Sequence, residues 1–512
     1  MLKNHPKGLL VAFFTNMGER FGFYTMMAIL VLFLQAKFGL SGTNAGIIYS
    51  IFYFSIYILA FVGGLIADKT RNYKGTIMTG LFVMAAGYLM IAIPTKTPVP
   101  NQTLFLIISC IGLFTIAFGN GLFKGNLQAL VGQMYDNPTF SKMRDSGFSL
   151  FYMFINVGAL FAPVAAVGMR NGWLERNGFL YDPRLPELCH HYLKGTITPE
   201  ALDNLTTLSV TVSKSGQVAD LTTFANNYLN VFTTGFHYAF GISIIAMLIS
   251  LTIYIVNKKI FPDPSTKVKT ANAAGHQEIQ MDAKEIKQRL YALFAVFGIV
   301  IFFWFSFHQN GLTLTYFAKD YTDLSMIRVN LGFMEIRGAE IFQSINPIFI
   351  VLLTPIIMGI FGWLRARGKE PSTPKKIAIG MLIAASAYFV MTMGSMGLPL
   401  KSEVDAVGGL SDAQRVSPML LIGTYFILTV AELFISPLGI SFVSKVAPPQ
   451  YQGVMQGGWL GATAIGNQLL FIGAILYENV PIWLTWTVFV VACSLSFLTM
   501  LFMVKWLERV AK

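Results

Sequence analysis

Twelve stretches of the chain are apolar for about twenty residues or more. They lie at about 9–35, 44–67, 76–95, 103–131, 146–168, 235–256, 290–318, 341–364, 377–398, 418–444, 454–477 and 482–507. A helix rises about 1.5 Å per residue and the hydrocarbon layer of a bilayer is about 30 Å thick, so about 20 apolar residues cross it. The pattern predicts an all-α polytopic membrane protein with twelve transmembrane helices, numbered here as spans 1 to 12. A polar stretch, residues 257–289, separates six spans from six. It is predicted to link two pseudo-symmetric six-helix bundles, residues 1–256 and 290–512, with a substrate site between them, as in secondary transporters.

Two polar segments interrupt the rhythm. Residues 169–234 form an insert between spans 5 and 6. Within it, Thr198-Pro199-Glu200 predicts a helix start, with Thr as cap and Pro in the first turn. Leu208-Ser-Val-Thr-Val212 alternates like a strand. The insert is either a small folded cap or an ordered loop outside transport, and the second is expected. In the linker, Asp282 to Arg289 predicts an amphipathic helix lying along the membrane.

Composition sharpens this. Of 512 residues, 54% are hydrophobic and 12% charged, about half the charge of a soluble domain. The formal net charge of +12 would suggest nucleic acid in a soluble protein. Here 23 of the 37 Lys and Arg fall in segments on the side of the termini and 12 on the other, while Arg20 and Lys124 lie deep within spans. Positive charge marks the cytoplasmic side, so both termini are expected in the cytoplasm and the insert outside. No nucleic-acid partner is expected. Cys110, Cys189 and Cys493 are far apart, and neither a disulfide framework nor a metal site follows. Lys3 and Lys7 precede an apolar run as in a signal peptide, but Glu19, Arg20 and the run's length predict a retained first helix.

Charge at membrane depth costs about 2.5–3.5 kcal/mol per residue on insertion scales. It is tolerable where the residue faces a partner or a water-filled cavity. Span 1 carries Asn16, Glu19, Arg20 and Tyr24. At 100° per residue, Asn16, Arg20 and Tyr24 share a face with Glu19 beside it. Lys124 in span 4 and Glu432 in span 10 are also charged at depth. The pair Glu19–Arg20 either serves a cavity or locks two helices together. After span 2, Gly63-Gly64-Leu-Ile-Ala-Asp68 followed by Lys69, Arg71 and Lys74 combines close helix approach with a candidate gate at Asp68. No nucleophile–base pair or metal-ligand spacing appears, so an enzyme is not expected.

The Gly-Gly-x-x-x-Asp loop resembles the signature of the major facilitator superfamily. Further stretches resemble the proton-dependent oligopeptide transporter family: Glu19-Arg20-Phe21-x-x-Tyr24, Gly121-Leu-Phe-Lys124-Gly-Asn126, Phe151-Tyr152-x-x-Ile155-Asn156-x-Gly158, Phe303-Trp304-x-x-x-His308-Gln309, Phe342-Gln343-Ser344-Ile-Asn346-Pro347 and Glu432-Leu-x-x-Ser436-Pro437-x-Gly439. They run in the family's order from span 1 to the end of span 10. The resemblance implies a major facilitator fold that imports di- and tripeptides by alternating access, with protons as coupling ion and no other cofactor. Arg20 and Lys124 would hold the peptide carboxylate and Glu432 the amino group. Asn156, Asn346 and Ser436 would bind backbone and termini, and Tyr24, Tyr57, Trp304 and Trp459 would line side-chain pockets. The alternative for each Asn is helix–helix glue, and for the aromatics plain packing.

Two departures bear on coupling. The family's first acidic residue in span 1 is Asn16 here, assigned to gating, and its acidic residue before Gln in span 7 is His308. Glu19 and His308 remain as proton-coupling candidates. Pro347, Pro355 and Pro437 are candidate bend points. A monomer in a cell membrane, a bacterial inner membrane, is expected, with small peptides and lipid as its partners. Competing readings are a carrier of nitrate or another metabolite, a proton-independent facilitator, and a non-transporting peptide sensor.

Overall fold

The computed structural model describes residues 5–135, 139–140, 144–262, 282–330, 335–448 and 451–511. Among them, twelve helices are long and apolar enough to cross a membrane. Spans 1 to 6 are helices Lys7–Phe38, Gly42–Thr70, Tyr73–Ala92, Gln102–Met134, Arg144–Arg176 and Leu221–Asn257. Local chemistry sets several ends. Ser41, Asn72 and Asn101 accept the first free N–H groups of spans 2, 3 and 4. Gly39, at φ 59°, closes span 1 in the left-handed conformation that glycine tolerates.

Spans 9, 10 and 12 are Thr373–Gly394, Met419–Val446 and Ile482–Val510. Spans 7, 8 and 11 are compound. Span 7 is a helix, Ala283–Phe307, then a tighter turn at His308–Gly311, then a short helix, Thr313–Asp320. Span 8 opens with tight turns over Ala339–Ser344 before the helix Ile345–Ala366. Span 11 is Gln452–Gln468 and Leu470–Asn479, broken at Leu469.

The helix pairs repeat after six spans. In the first half, span 3 packs on 4 and 6, span 1 on 5 and 6, and span 2 on 4. In the second half, span 9 packs on 10 and 12, span 7 on 11 and 12, and span 8 on 10. The seams between halves are span 2 against 11 and span 5 against 8. Adding six to one seam generates the other, so one two-fold relation describes both halves and their junction. Span 1 is buried along most of its length, while large apolar side chains such as Phe82, Phe114 and Phe502 cover the outside, as lipid contact requires.

The structure corrects several expectations. Leu208–Val212 is no strand but the last part of a helix, Pro199–Val212, capped by Thr198. Its buried Ala201, Leu205, Leu208 and Val212 recur every three or four residues, a helical spacing that a five-residue window hides. The insert at 169–234 is also shorter than the apolar runs suggest, because span 5 continues to Arg176 and span 6 starts at Leu221. It folds as two helices, Leu185–Leu193 and Pro199–Val212. Asp282–Arg289 is not a separate helix along the membrane; it runs straight into span 7, and Arg289 Nη1 donates to the Val446 carbonyl at the end of span 10. Pro347 is the third residue of its helix, where N–H groups lack helical partners anyway, so it breaks nothing. Pro355 and Pro437 do lie inside helices, as does Pro163 in span 5. Most of the linker, and Lys3, fall outside the described residues.

Candidate functional site

Glu19 is fully buried and has three donors. Arg20 Nε and Nη2 donate to its two oxygens at 2.5 and 2.6 Å, and Asn120 Nδ2 of span 4 donates at 2.7 Å. Buried carboxylates demand this satisfaction. The Arg20 guanidinium also lies 4.6 Å from the Phe23 ring centre. Asn16 is buried one turn away.

Lys124 is one turn beyond Asn120 on span 4. Its ammonium sits 4.5 Å from the Tyr57 ring centre, and among the described residues it forms no ion pair. A cation over an aromatic face gains roughly 0.5–2 kcal/mol, far less than a full counter-charge. Tyr57 is the start of a ladder of rings. Tyr53 follows at 5.8 Å, His308 lies 4.8 Å from Tyr53, and Trp304 stacks on His308 at 4.9 Å. The ladder crosses from span 2 to span 7, and therefore between halves. His308 is buried, and its Nδ1 shares a 2.5 Å hydrogen bond with Asn467 Oδ1 of span 11.

Glu432 is placed differently. It is partly exposed, accepts from Asn346 Nδ2 at 2.9 Å, and forms no ion pair among the described residues. Asn346 also donates to Thr429 Oγ1 at 3.0 Å. Tyr24, Tyr57 and Tyr152 all lie within electrostatic reach of the Glu432 carboxylate. Tyr57 thus has the first half's unpaired cation on its ring and the second half's unpaired anion nearby. Trp459 packs on Gly439, where any Cβ would overlap its ring.

At the end of the molecule bearing the insert, the halves are tied shut. Arg170 of span 5 and Glu340 of span 8 form a fully buried ion pair. The Glu478 carboxylate at the end of span 11 accepts from the backbone N–H groups of Gly42 and Thr43 at 2.5 and 3.1 Å, capping span 2. Tyr316 donates to the Gly42 carbonyl at 2.9 Å.

A family model described as "POT family" matches residues 74–274 and 263–484. The chain belongs to the POT family. Among its relatives, the peptide transporter YePEPT of Yersinia enterocolitica is 31% identical, covering 90% of this chain and 86% of that one. Dipeptide and tripeptide permease B of Xenorhabdus bovienii is 28% identical, covering 100% and 97%. The crystal structure of peptide transporter POT in complex with sulfate superposes with a TM-score of 0.71 at 23% identity, over 100% and 96% of the two chains. That likeness shows the fold, the twelve-helix major facilitator architecture of POT transporters.

Of the expected site residues, Arg20 is joined to Glu19, Lys124 to Tyr57, and Tyr57 through Tyr53 to His308 and Trp304, while Glu432, held by Asn346, lies within electrostatic reach of Tyr24 and Tyr57. Asn156 is buried and donates to the Tyr152 carbonyl at 3.0 Å, within its own helix. Ser436 keeps a buried hydroxyl without a hydrogen-bond partner among the described residues. Asp68 lies apart from the site, exposed at the termini end and accepting from Tyr73. Of the glycine pair beside it, Gly63 meets the Gly121 carbonyl of span 4 so closely that no Cβ fits, whereas Gly64 faces open space. Sequence reading missed Asn120, Tyr53, Tyr152 and Asn467. Asn120 was accessible in principle, since it stands four residues before Lys124 on the same helical face.

Proposed function

We propose that this POT-family protein imports di- and tripeptides by alternating access, driven by inward proton movement. The observation that carries the reading is the pairing of Lys124 in one half with Glu432 in the other, both without an ion-pair partner among the described residues and both near Tyr57. A zwitterion of peptide length offers a carboxylate to Lys124 and an ammonium to Glu432. Its charges then draw the halves together from both sides. Asn346, which holds Glu432 and Thr429 with its amide hydrogens, leaves its carbonyl oxygen to accept from the peptide, and the aromatic ladder gives loosely shaped walls. Relatives named as peptide transporters and permeases support this cargo, and so does a solved POT transporter holding 5-aminolevulinic acid, another small amine–carboxylate.

Glu19 is the proposed proton carrier. A peptide carboxylate that recruits Arg20 takes away two of the three donors on Glu19, which favours protonation of the acid that remains. Asn16 supplies no second carboxylate, and His308, held by Asn467, is the other candidate. The insert end faces outward in this proposal, both termini are cytoplasmic, and the protein works as a monomer in a bacterial inner membrane.

The test is uptake of labelled dialanine into liposomes with and without an inward proton gradient. Accumulation above equilibrium only with the gradient is expected. Equal rates in both conditions would make the protein a facilitator, and absence of uptake would overturn the peptide assignment.

A further inference from the structure

The two insert helices have unlike faces. Toward the first half the contact is apolar and closed. Phe179, Leu185, Cys189, Leu205 and Val212 are buried in one core with Phe224 and Tyr228 of span 6. His190 Nε2 adds a buried 2.7 Å hydrogen bond to the Ala36 carbonyl of span 1. Toward the second half the contact is polar and mostly backbone-directed. Thr198 Oγ1 donates to the Ala406 carbonyl at 2.5 Å, Asn204 Nδ2 to the Gly408 carbonyl at 3.1 Å, and Arg184 Nη1 to the Leu410 carbonyl at 3.3 Å. The Glu187 carboxylate is shared between Lys319 at the end of span 7, at 3.2 Å, and Lys401 in the loop between spans 9 and 10, at 3.4 Å. Leu188 and Ala201 lie against Gly408 there.

These faces differ in what separation costs. Exposing the apolar face costs roughly 25 cal/mol per Å². The polar groups can regain hydrogen bonds to water on separation, and the Glu187 side chain, 35% exposed, is already partly solvated, although Lys319 and Lys401 are buried. A cavity of about 410 Å³ lies beside this polar contact, bounded by Glu187, Lys319, Asp320, Lys401 and Asp405, and leaves room to solvate the polar groups as they part. We infer that the insert is a releasable strap: it travels with the first half, and its polar contacts with residues 401–410 and Lys319 hold the insert end closed and must part in each transport cycle. Glu187 is the positioning residue at its centre. The inference rests on the transport reading above.

The experiment pairs Thr198→Cys with Ala406→Cys in a protein carrying Cys110→Ser, Cys189→Ala and Cys493→Ala. Exchange of labelled dialanine across liposomes is measured before and after a short thiol cross-linker, then after reductive cleavage. The uncrosslinked protein reports on the transport reading by itself. Cross-linking is expected to cut exchange at least ten-fold, with recovery on cleavage. Full exchange by protein shown by mass to be cross-linked would overturn the strap. A second measurement needs no substrate: spin labels at Asp203→Cys and Glu403→Cys, both exposed. A second, longer distance is expected in liposomes and should gain population in Glu187→Gln. One unchanging distance in both proteins would overturn the inference.

Discussion

The chain holds two membrane-depth carboxylates in opposite circumstances. Glu19 is sealed among three donors, two of them from its neighbour Arg20. Glu432 stands partly exposed with one donor, Asn346. The same contrast divides the cations, since Arg20 is committed to Glu19 while Lys124 rests on a ring. Motif reading groups Arg20, Lys124 and Glu432 together as ligands. The geometry ranks them: Lys124 and Glu432, left open, are available to a charged cargo at once, and Arg20 only by giving up its bonds to Glu19.

The ranking can be broken by experiment. Glu19→Gln leaves Arg20 buried without its counter-ion, and breaking a buried pair costs about 3–5 kcal/mol. A large drop in thermal stability in detergent is expected; unchanged melting would equate the two carboxylates. Glu432→Gln should lower dialanine uptake on the order of 100-fold, about 2.7 kcal/mol, with melting unchanged, because no ion pair among the described residues is lost. Asn120→Ala removes one donor from Glu19, worth about 1–3 kcal/mol. It should displace the pH profile of uptake while leaving dialanine affinity at saturating proton concentration near normal. Asn346→Ala should raise KM about five-fold, roughly 1 kcal/mol, and leave kcat close to normal.

The smallest effect concerns pH at the insert end. Asp405 is bonded to Lys401 and lies within electrostatic reach of Glu187 of the insert and of Lys319 and Asp320 of span 7, with His191 beside Glu187 and Glu403 on its own helix. Burial and then Glu187 push its carboxyl up, against the pull of Lys401. For Glu187, burial also pushes upward, but Lys319 and Lys401 outweigh it and hold it well below the usual carboxylate range. An acid raised in the closed arrangement binds its proton more tightly there than when the contact parts. Lowering pH from 8 toward 5 therefore favours closure, with Glu187 still charged throughout. A decrease of a few-fold in the open population, read by the spin-label distances, is expected; an increase would reverse the assignment.

Spans were legible to within a few residues wherever apolar runs end in caps such as Ser41 and Asn101. The insert was not, because the period of its helix needs the whole stretch from Ala201 to Val212 to show itself. The partners of Glu19 and His308 were equally hidden. Asn120 and Asn467 are 101 and 159 positions away, and only the packing of span 1 on 4 and span 7 on 11 brings them near. Charge at depth signals that a partner or a cavity exists, without saying which.

The breaks in spans 7 and 11 have a mechanical consequence. His308 begins one interruption and Asn467 stands two residues before the other, so their hydrogen bond is a pin through two adjacent hinges. Beyond the pin, Thr313–Asp320 and Leu470–Asn479 are short lever arms. One ends in Lys319, clasping Glu187, and the other in Glu478, clasping the start of span 2. If the arms swing about that shared pivot, the two clasps part together.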